Sequence, residues 1–289
     1  MTLDVGIVLA VAAMVSWGVA DFLAKKAIDQ IGYRVSIVIN QAVAFVPALI
    51  IAIVFFKLPR FSPILVVEIV LAGISGIIGY IFLYRGFGKG NVSVVAPITA
   101  SWSVITVLLA TLLFAERLEP LQIVGVGAVF IGVFFASTNV AELKKTIKMS
   151  RWSAGATDAV VAMVAWGISY VLLKPITSAV GPVLALFLLK ILAVAALFSW
   201  IGIGKTKVSL PAKITFLLIA VAGLLDFSAF LAFNLSLNSQ YVSVVSAIVA
   251  TAPAVTIGLA YVFLKERIVA NQKIGIIAIL AGLTLISLF

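Results

Sequence analysis

The sequence contains neither cysteine nor histidine among its 289 residues. It therefore lacks the imidazole and thiolate ligands of zinc, haem and iron–sulfur sites, and it lacks cysteine nucleophiles and serine–histidine pairs. Without cysteine there is also no disulfide pattern that would indicate a compartment. These absences predict a protein that holds no cofactor and argue against the commonest hydrolytic chemistries.

Charged residues are also scarce, at 10% of the chain, whereas 64% of the residues are hydrophobic and the mean hydropathy is +1.30. Because soluble domains are only about half apolar, this composition predicts an integral membrane protein. The net charge of +10 is spread over many short polar segments with no aromatic-rich polar surface between them. This distribution favours a lipid bilayer with anionic headgroups as the electrostatic partner and argues against nucleic acid.

The chain contains an internal repeat. Residues 92–137 align without a gap to residues 242–287, and 16 of the 46 positions are identical. The identities include a charged Glu-Arg pair, a glutamine and two glycines, which shared apolar composition does not explain. Upstream, Trp17 and Lys25 recur 149 residues later as Trp166 and Lys174. The chain is therefore predicted to be a tandem duplication whose functional site lies where the halves meet.

Ten apolar runs are long enough to cross a hydrocarbon core of about 30 Å as helices. They are apolar all round, which favours helices over a lipid-facing barrel. We predict transmembrane helices at 5–23, 35–56, 64–84, 92–114, 121–138, 154–173, 182–203, 214–234, 242–264 and 274–288.

Each half thus contributes five spans, and an odd number makes the second half cross the membrane in the opposite sense to the first. The predicted fold is an all-α membrane protein with ten transmembrane helices arranged as two inverted five-helix repeats, as in many secondary transporters. The repeats are predicted at 1–140 and 154–289, joined by a basic linker at 141–153. Fifteen basic residues would lie on one side of the membrane and four on the other, which predicts that both termini are outside.

Several motifs resemble the EamA-like transporter family of the drug/metabolite transporter superfamily. They are the segment YRGFGKGNVSVVAP at 84–97, the Glu-Arg pair after the fourth span of each half, the Trp-Gly pairs, and the glycine-containing fifth spans after Gln122 and Gln272. The likeness covers essentially the whole chain. It implies a carrier of small metabolites, often an exporter, with a central cavity between the halves. Many relatives have an arginine in a second span, where this chain has Asn40 and, at the position taken as equivalent, Lys190.

Two ionisable residues fall deep within predicted spans, where a charge is costly and usually faces a cavity or a partner. Asp226 lies near the centre of the eighth span and Lys190 near the centre of the seventh. They are predicted either to form a buried ion pair or to bind substrate or a proton. Glu68, Asp158 and Asp21 are predicted to lie near span ends, close to headgroups and water.

Aromatic and hydrogen-bonding residues within the spans are candidates for a substrate cavity, because small-ligand sites combine apolar walls with a few polar anchors. Each is alternatively a packing residue. The candidates are Trp17, Trp166, Tyr80, Tyr84, Trp102, Ser169, Tyr170, Asn234, Thr251, Thr256 and Tyr261. We interpret two charged pairs as turns that end a helix rather than as site residues. They are Glu116-Arg117 and Glu266-Arg267.

These observations predict a secondary transporter in the cell membrane that acts on a small organic metabolite by alternating access. If transport is active, an ion gradient must drive it, and proton coupling through Asp226 is the simplest form of such coupling. The alternatives are an intramembrane enzyme for lipids or isoprenoids, for which the sequence shows no acidic cluster or nucleophile–base pair, and a membrane scaffold that transports nothing. A homodimer is also compatible with the sequence.

Overall fold

The structure, a computed structural model, describes residues 4–54, 61–89, 95, 98–115, 118–137, 155–203, 211–264 and 270–287. Within these ranges the chain is almost entirely helical and has no strand. The helices described are α1 (Val5–Val54), α2 (Pro63–Lys89), α3 (Trp102–Phe114), α4 (Pro120–Ser137), α5 (Ala156–Val180), α6 (Pro182–Ile203), α7 (Lys213–Ser236), α8 (Val242–Val249), α9 (Ala252–Leu264) and α10 (Ala270–Ser287). The predicted linker and both Glu-Arg pairs lie outside the described residues.

Five of the described helices, α1, α2, α5, α6 and α7, are long and apolar enough to cross a membrane. The shorter helices are apolar as well. Large apolar side chains face outward, among them Leu112 at 78% exposure, Ile53 at 70% and Ile277 at 66%. Extensive exposed apolar surface indicates contact with a membrane. The chain is therefore an all-helical, multi-pass membrane protein.

Helix α1 contains 50 residues, which would extend about 75 Å, more than twice the thickness of the hydrocarbon core. It bends at Gly32, where φ is 76° and ψ is 158°. Glycine suits this positive φ because it has no Cβ to clash with the backbone. The bend divides α1 into arms of residues 5–31 and 33–54. Gly181, 149 residues later, has φ 83° and ψ 158° and joins α5 to α6 in the same way.

Most helix ends fall within a few residues of the predicted span ends, but some differ by more. Helix α5 ends at Val180, seven residues past the predicted end at Leu173. The first arm of α1 continues eight residues past the predicted end at Leu23, because Lys25 is accommodated in the helix. Its ammonium lies 2.6 Å from Asp29 and 3.1 Å from the carbonyl oxygen of Phe87. The predicted ninth span is divided between α8 and α9 because Pro253 cannot donate a backbone hydrogen bond there.

Equivalent residues of the two halves make equivalent contacts with the opposite half. The Thr106 hydroxyl donates to the carbonyl of Gly167 at 3.2 Å, and the Thr256 hydroxyl, 150 residues later, donates to the carbonyl of Gly18 at 2.8 Å. Such reciprocity is what a two-fold relationship between the halves produces.

Helices α4 and α10 show the same reciprocity in their packing. A Cβ added to Gly132 would lie 2.8 Å from the carbonyl oxygen of Gly275, and one added to Gly282 would lie 2.7 Å from that of Gly125. These backbones approach closely because glycine has no side chain, as is common between membrane helices.

Helix α2 packs against α6 in the way that α7 packs against the second arm of α1. Gly73 of α2 contacts Leu192, and Gly223 of α7 contacts Val43. Because Gly73 and Gly223 are equivalent, Val43 corresponds to Leu192, an offset of 149 residues.

This offset corrects one equivalence taken from the sequence. Lys190 corresponds to Gln41 and not to Asn40, because the bends at Gly32 and Gly181 are also 149 residues apart. The charged residue of the second half therefore has an uncharged amide as its counterpart in the first.

Candidate functional site

A cavity lies between the two halves and contains about 690 Å³ of space free of protein atoms, its open mouth included. Small-molecule sites typically measure about 300–1,000 Å³. Seven of the eighteen described residues that line it are aromatic, and the two charged ones are carboxylates. The aromatic residues are Trp17, Tyr80, Tyr84, Phe87, Trp102, Trp166 and Tyr170, and the carboxylates are Asp21 and Asp226.

Equivalent residues of the two halves form much of the cavity wall. The cavity therefore lies on the same pseudo-two-fold axis that relates the helix contacts of the two halves. The equivalent pairs are Trp17 with Trp166, Asp21 with Tyr170, Thr99 with Val249, Ala100 with Ala250, and Trp102 with Ala252.

Asp226 of α7 lies at this wall and is only 3% exposed. Its Oδ1 accepts hydrogen bonds from Trp17 Nε1 at 2.9 Å and from the Tyr80 hydroxyl at 2.5 Å. Its Oδ2 accepts from Lys190 Nζ at 2.5 Å and from Gln41 Nε2 at 3.3 Å. Lys190 Nζ also donates to Gln41 Oε1 at 2.9 Å, so the ammonium, the carboxylate and the amide close a triangle.

The network around Asp226 joins the two halves, because Trp17, Gln41 and Tyr80 belong to the first half and Lys190 to the second. Burying two charges is costly unless they pair and their remaining hydrogen-bonding capacity is satisfied. Here both conditions hold. The sequence left open whether the two residues form an ion pair or bind a ligand, and the structure brings them together as an ion pair at the cavity wall.

A smaller cavity, with about 380 Å³ of free space including its opening, adjoins the first. Tyr80, Trp166 and Tyr170 line both cavities. Lys190 lines the smaller cavity, whereas Asp226 lines the larger one. The ion pair therefore lies between the two spaces.

Trp17 and Trp166 have corresponding surroundings. Trp17 Nε1 donates to Asp226, and Trp166 Nε1 donates to the carbonyl oxygen of Gly76 at 3.2 Å. Gly76 is the residue equivalent to Asp226. Both indole rings also make edge-to-face contacts with tyrosines of the cavity wall. Each tryptophan thus has an indole N–H engaged with the opposite half and a ring at the cavity.

The structure brings most of the predicted site residues to the larger cavity. Asn234 and Thr251, however, line neither cavity: the Asn234 amide donates to the carbonyl of Phe230 at 3.0 Å and the Thr251 hydroxyl to that of Ile248 at 2.7 Å. Both are fully buried between helices. The predicted residues that do line the larger cavity are Trp17, Tyr80, Tyr84, Trp102, Trp166, Tyr170 and Asp226.

The remaining candidates are dispersed. Ser169 lines the smaller cavity and donates to the carbonyl of Ala72 at 2.9 Å. The Thr256 hydroxyl is engaged with a backbone carbonyl of α1. The side chain of Tyr261 lies outside the part of the chain that the structure describes.

Sequence reasoning missed Gln41 as a site residue and misplaced Asp21. Gln41 is a fully buried amide within an apolar span, which is a usable signal for a polar partner. Asp21 was expected near a span end, but the first arm of α1 runs ten residues beyond it, and its side chain lines the larger cavity. The error follows from ending the span before Lys25 and Lys26.

A second charged cluster, away from both cavities, joins the end of α2 to the start of α5. Arg85 Nε lies 3.0 Å from a carboxylate oxygen of Asp158, and Lys89 Nζ lies 3.1 Å from the other. Arg85 and Lys89 are partly exposed, whereas Asp158 is buried. The position of Asp158 in the first turn of its helix agrees with the predicted placement near a span end.

The fold and the cavity define a class: an all-helical, multi-pass membrane protein built from two related halves with a small-molecule-sized cavity between them. The sequence model of the EamA-like transporter family matches the chain twice, over residues 4–138 and over residues 153–288. The chain therefore belongs to the EamA-like transporter family, and the resemblance inferred from its motifs is confirmed. Proteins of this family are drug and metabolite transporters rather than enzymes.

The chain is also similar to two other proteins. An uncharacterised protein of Methanocaldococcus jannaschii, MJ1333.1, is 27% identical over 135 residues, which cover 47% of this chain and 98% of that protein. A crystal structure described only as that of a protein has a TM-score of 0.79 and 16% sequence identity, and the match covers 99% of both chains. The first is a relative about as long as one half of this chain, and the second shares the fold.

Proposed function

We propose that this protein is a secondary transporter that carries a small organic metabolite across the cell membrane by alternating access, in the direction of export. The observation that carries the proposal is the cavity between the halves, which is open, of small-molecule size, and lined by aromatic rings and carboxylates. A transporter needs such a site where two moving parts meet.

The helices support a ten-span arrangement in two inverted halves. Each arm of α1 is long enough for one crossing. If α8 and α9 together form another, and if α3 and α4 each belong to one more, the proposed arrangement assigns five crossings to each half. The two family matches agree with repeats at 1–140 and 154–289 separated by a linker at 141–153. The M. jannaschii relative, which is about one half in length, also supports a five-helix unit as the ancestral building block.

Alternating access follows from this arrangement. If two halves of opposite orientation exchange conformations, a cavity on the pseudo-two-fold axis between them opens to the other side of the membrane. The Lys190–Asp226 pair lies between the two cavities. Both residues belong to the second half, and Gln41 and Tyr80 connect Asp226 to the first. These hydrogen bonds between the halves have to rearrange when the halves move.

An ion gradient is the energy source that fits the sequence, because the glycine-rich segment at 86–90 lacks the spacing and the following Ser or Thr of a nucleotide-binding loop. Proton coupling would act through Asp226. A proton on this carboxylate removes its negative charge and therefore its attraction for Lys190. Protonation would thereby weaken the contacts that Asp226 makes between the halves. Coupling through Asp226 thus gives protonation a direct structural consequence.

The proposal is tested with purified protein in proteoliposomes. Accumulation and counterflow of amines, amino acids, sugars and nucleotide-like metabolites would be measured with and without a pH gradient. An Ala250→Trp variant fills the cavity with an indole and should abolish transport, whereas Ala12→Trp, at an exposed position of α1, should not. If a folded Ala250→Trp variant transports at the wild-type rate, or if wild type transports no solute, the proposed function is wrong.

A further inference from the structure

The two carboxylates of the larger cavity differ in their surroundings. Asp226 receives four hydrogen bonds, one of them from the ammonium of Lys190. Asp21 lines the same cavity, yet within the described chain no hydrogen bond or ion pair joins it to another residue. The charge of Asp226 is therefore offset by the protein and that of Asp21 is not.

The described wall of the cavity contains no lysine or arginine. Lys190 lines the smaller cavity, and its positive charge is already paired with Asp226. With Asp21 ionised, the larger cavity therefore has an excess of negative charge. An ionised carboxylate within a membrane protein needs water or a cation beside it, and the described residues provide no cation for Asp21.

Aromatic rings surround this charge. Trp17, Trp102 and Trp166 line the cavity together with Tyr80, Tyr84 and Tyr170. The face of an aromatic ring attracts cations, with tryptophan strongest, and aromatic residues recur in sites for organic ammonium groups. An anion would meet two carboxyl groups in this cavity, with no basic residue of the described wall to offset them.

We propose that the cavity binds organic cations, with the ammonium group of the ligand beside Asp21 and its apolar part against the tryptophan and tyrosine rings. This inference rests on the proposed transport function and names its substrate class. The equivalent of Asp21 in the second half is Tyr170, so the two-fold cavity is charged at one of the two related positions. A ligand with a single ammonium group is therefore held in one orientation.

The test uses three ligands that share a phenyl ring and differ in charge: phenethylamine (cation), phenylalanine (zwitterion) and 3-phenylpropionate (anion). Binding to the full-length protein in lipid nanodiscs is read from tryptophan fluorescence, because three of the five tryptophans line the cavity. We expect phenethylamine to bind at least tenfold more tightly than 3-phenylpropionate. Asp21→Asn should weaken phenethylamine binding at least tenfold and leave 3-phenylpropionate binding no weaker.

Asp29→Asn is the matched control, because Asp29 lies on the same arm of α1 but is exposed and paired with Lys25. It should leave all three affinities unchanged. Equal binding of the three ligands, preference for the anion, or full amine affinity in Asp21→Asn would overturn the inference. So would the absence of any binding to folded protein. The wild-type ligand series decides the matter even if Asp21→Asn fails to fold.

The proteoliposome screen separates this inference from the proposed function. Transport of neutral or anionic solutes without transport of amines would refute the cation preference and leave a transporter. Failure to transport any solute would refute both.

Discussion

Lys190 Nζ lies 2.5 Å from Asp226 Oδ2, and both side chains are only 4% exposed. The pair forms where α6 and α7 meet the second arm of α1, and Gln41 bridges both charges. Within a membrane protein, removing one member of such a pair leaves the other charge buried and unpaired. Substitutions of Lys190 and of Asp226 are therefore expected to have strongly coupled effects on stability and on transport.

Asp226→Leu and Lys190→Met should each lower the free energy of unfolding by about 3–5 kcal/mol, because each leaves one buried charge without its partner. The double variant, in which neither charge remains, should recover most of the loss. Thermal unfolding of the purified proteins in detergent measures both effects. A double variant as unstable as the sum of the single variants would show that the two side chains do not act as a pair.

Transport by an Asp226→Asn variant and by the double variant tests proton coupling. If Asp226 carries the proton, Asp226→Asn should retain solute exchange but lose accumulation driven by a pH gradient. Gradient-driven accumulation at the wild-type rate by the stable double variant would end the coupling hypothesis, whatever the effect on stability.

The cavity tryptophans should contribute to ligand affinity. Trp17→Ala and Trp166→Ala should each weaken solute binding by about 1 kcal/mol or more, roughly fivefold, because an aromatic wall is lost. The matched control is Trp200→Ala, since Trp200 contacts Tyr33 and Arg34 outside both cavities. Apparent affinity in proteoliposomes is the measurement. If both cavity variants lose stability while transport per folded molecule is intact, the two tryptophans serve packing alone.

The reciprocal packing of α4 and α10 predicts equal effects at equivalent glycines. Gly132→Ala and Gly282→Ala should each destabilise the protein by about 1–3 kcal/mol, because the new methyl groups meet the facing backbone at 2.8 Å and 2.7 Å. Gly127→Ala, also on α4, should cost little, since no atom lies within 4 Å of its added Cβ. Thermal unfolding distinguishes them, and three equal results would contradict this packing.

Membrane orientation is tested by cysteine labelling, which the cysteine-free chain makes straightforward. Single cysteines at Ser150, in the predicted linker and outside the described residues, and at Asn238, between α7 and α8, should react from opposite sides. The unequal distribution of basic residues predicts that Ser150 is cytoplasmic. Labelling of both from one side would contradict the ten-span arrangement, and labelling in the reverse sense would contradict only the orientation.

The sequence by itself determined the membrane character, the positions of most helices and the duplication. Each of these depends on local composition or on residue order alone. Long apolar runs must form helices in lipid, and the repeat is visible in residue identities without any contact being known. The sequence also identified four candidate site residues, because charged residues deep within apolar spans and repeated aromatic residues are visible without a structure. They are Trp17, Trp166, Lys190 and Asp226.

The tertiary structure alone decided which polar groups meet. Asn234 and Thr251 have the same residue types as cavity-lining groups, yet both are buried in the packed interior, Asn234 on α7 and Thr251 in the break between α8 and α9. Asp21 reaches the cavity because α1 continues helically to Gly32, past two lysines that suggested an earlier end. Gln41 joins the ion pair because three helices cross at that point. Such partners depend on crossing angle and rotation between distant segments, which local sequence does not specify.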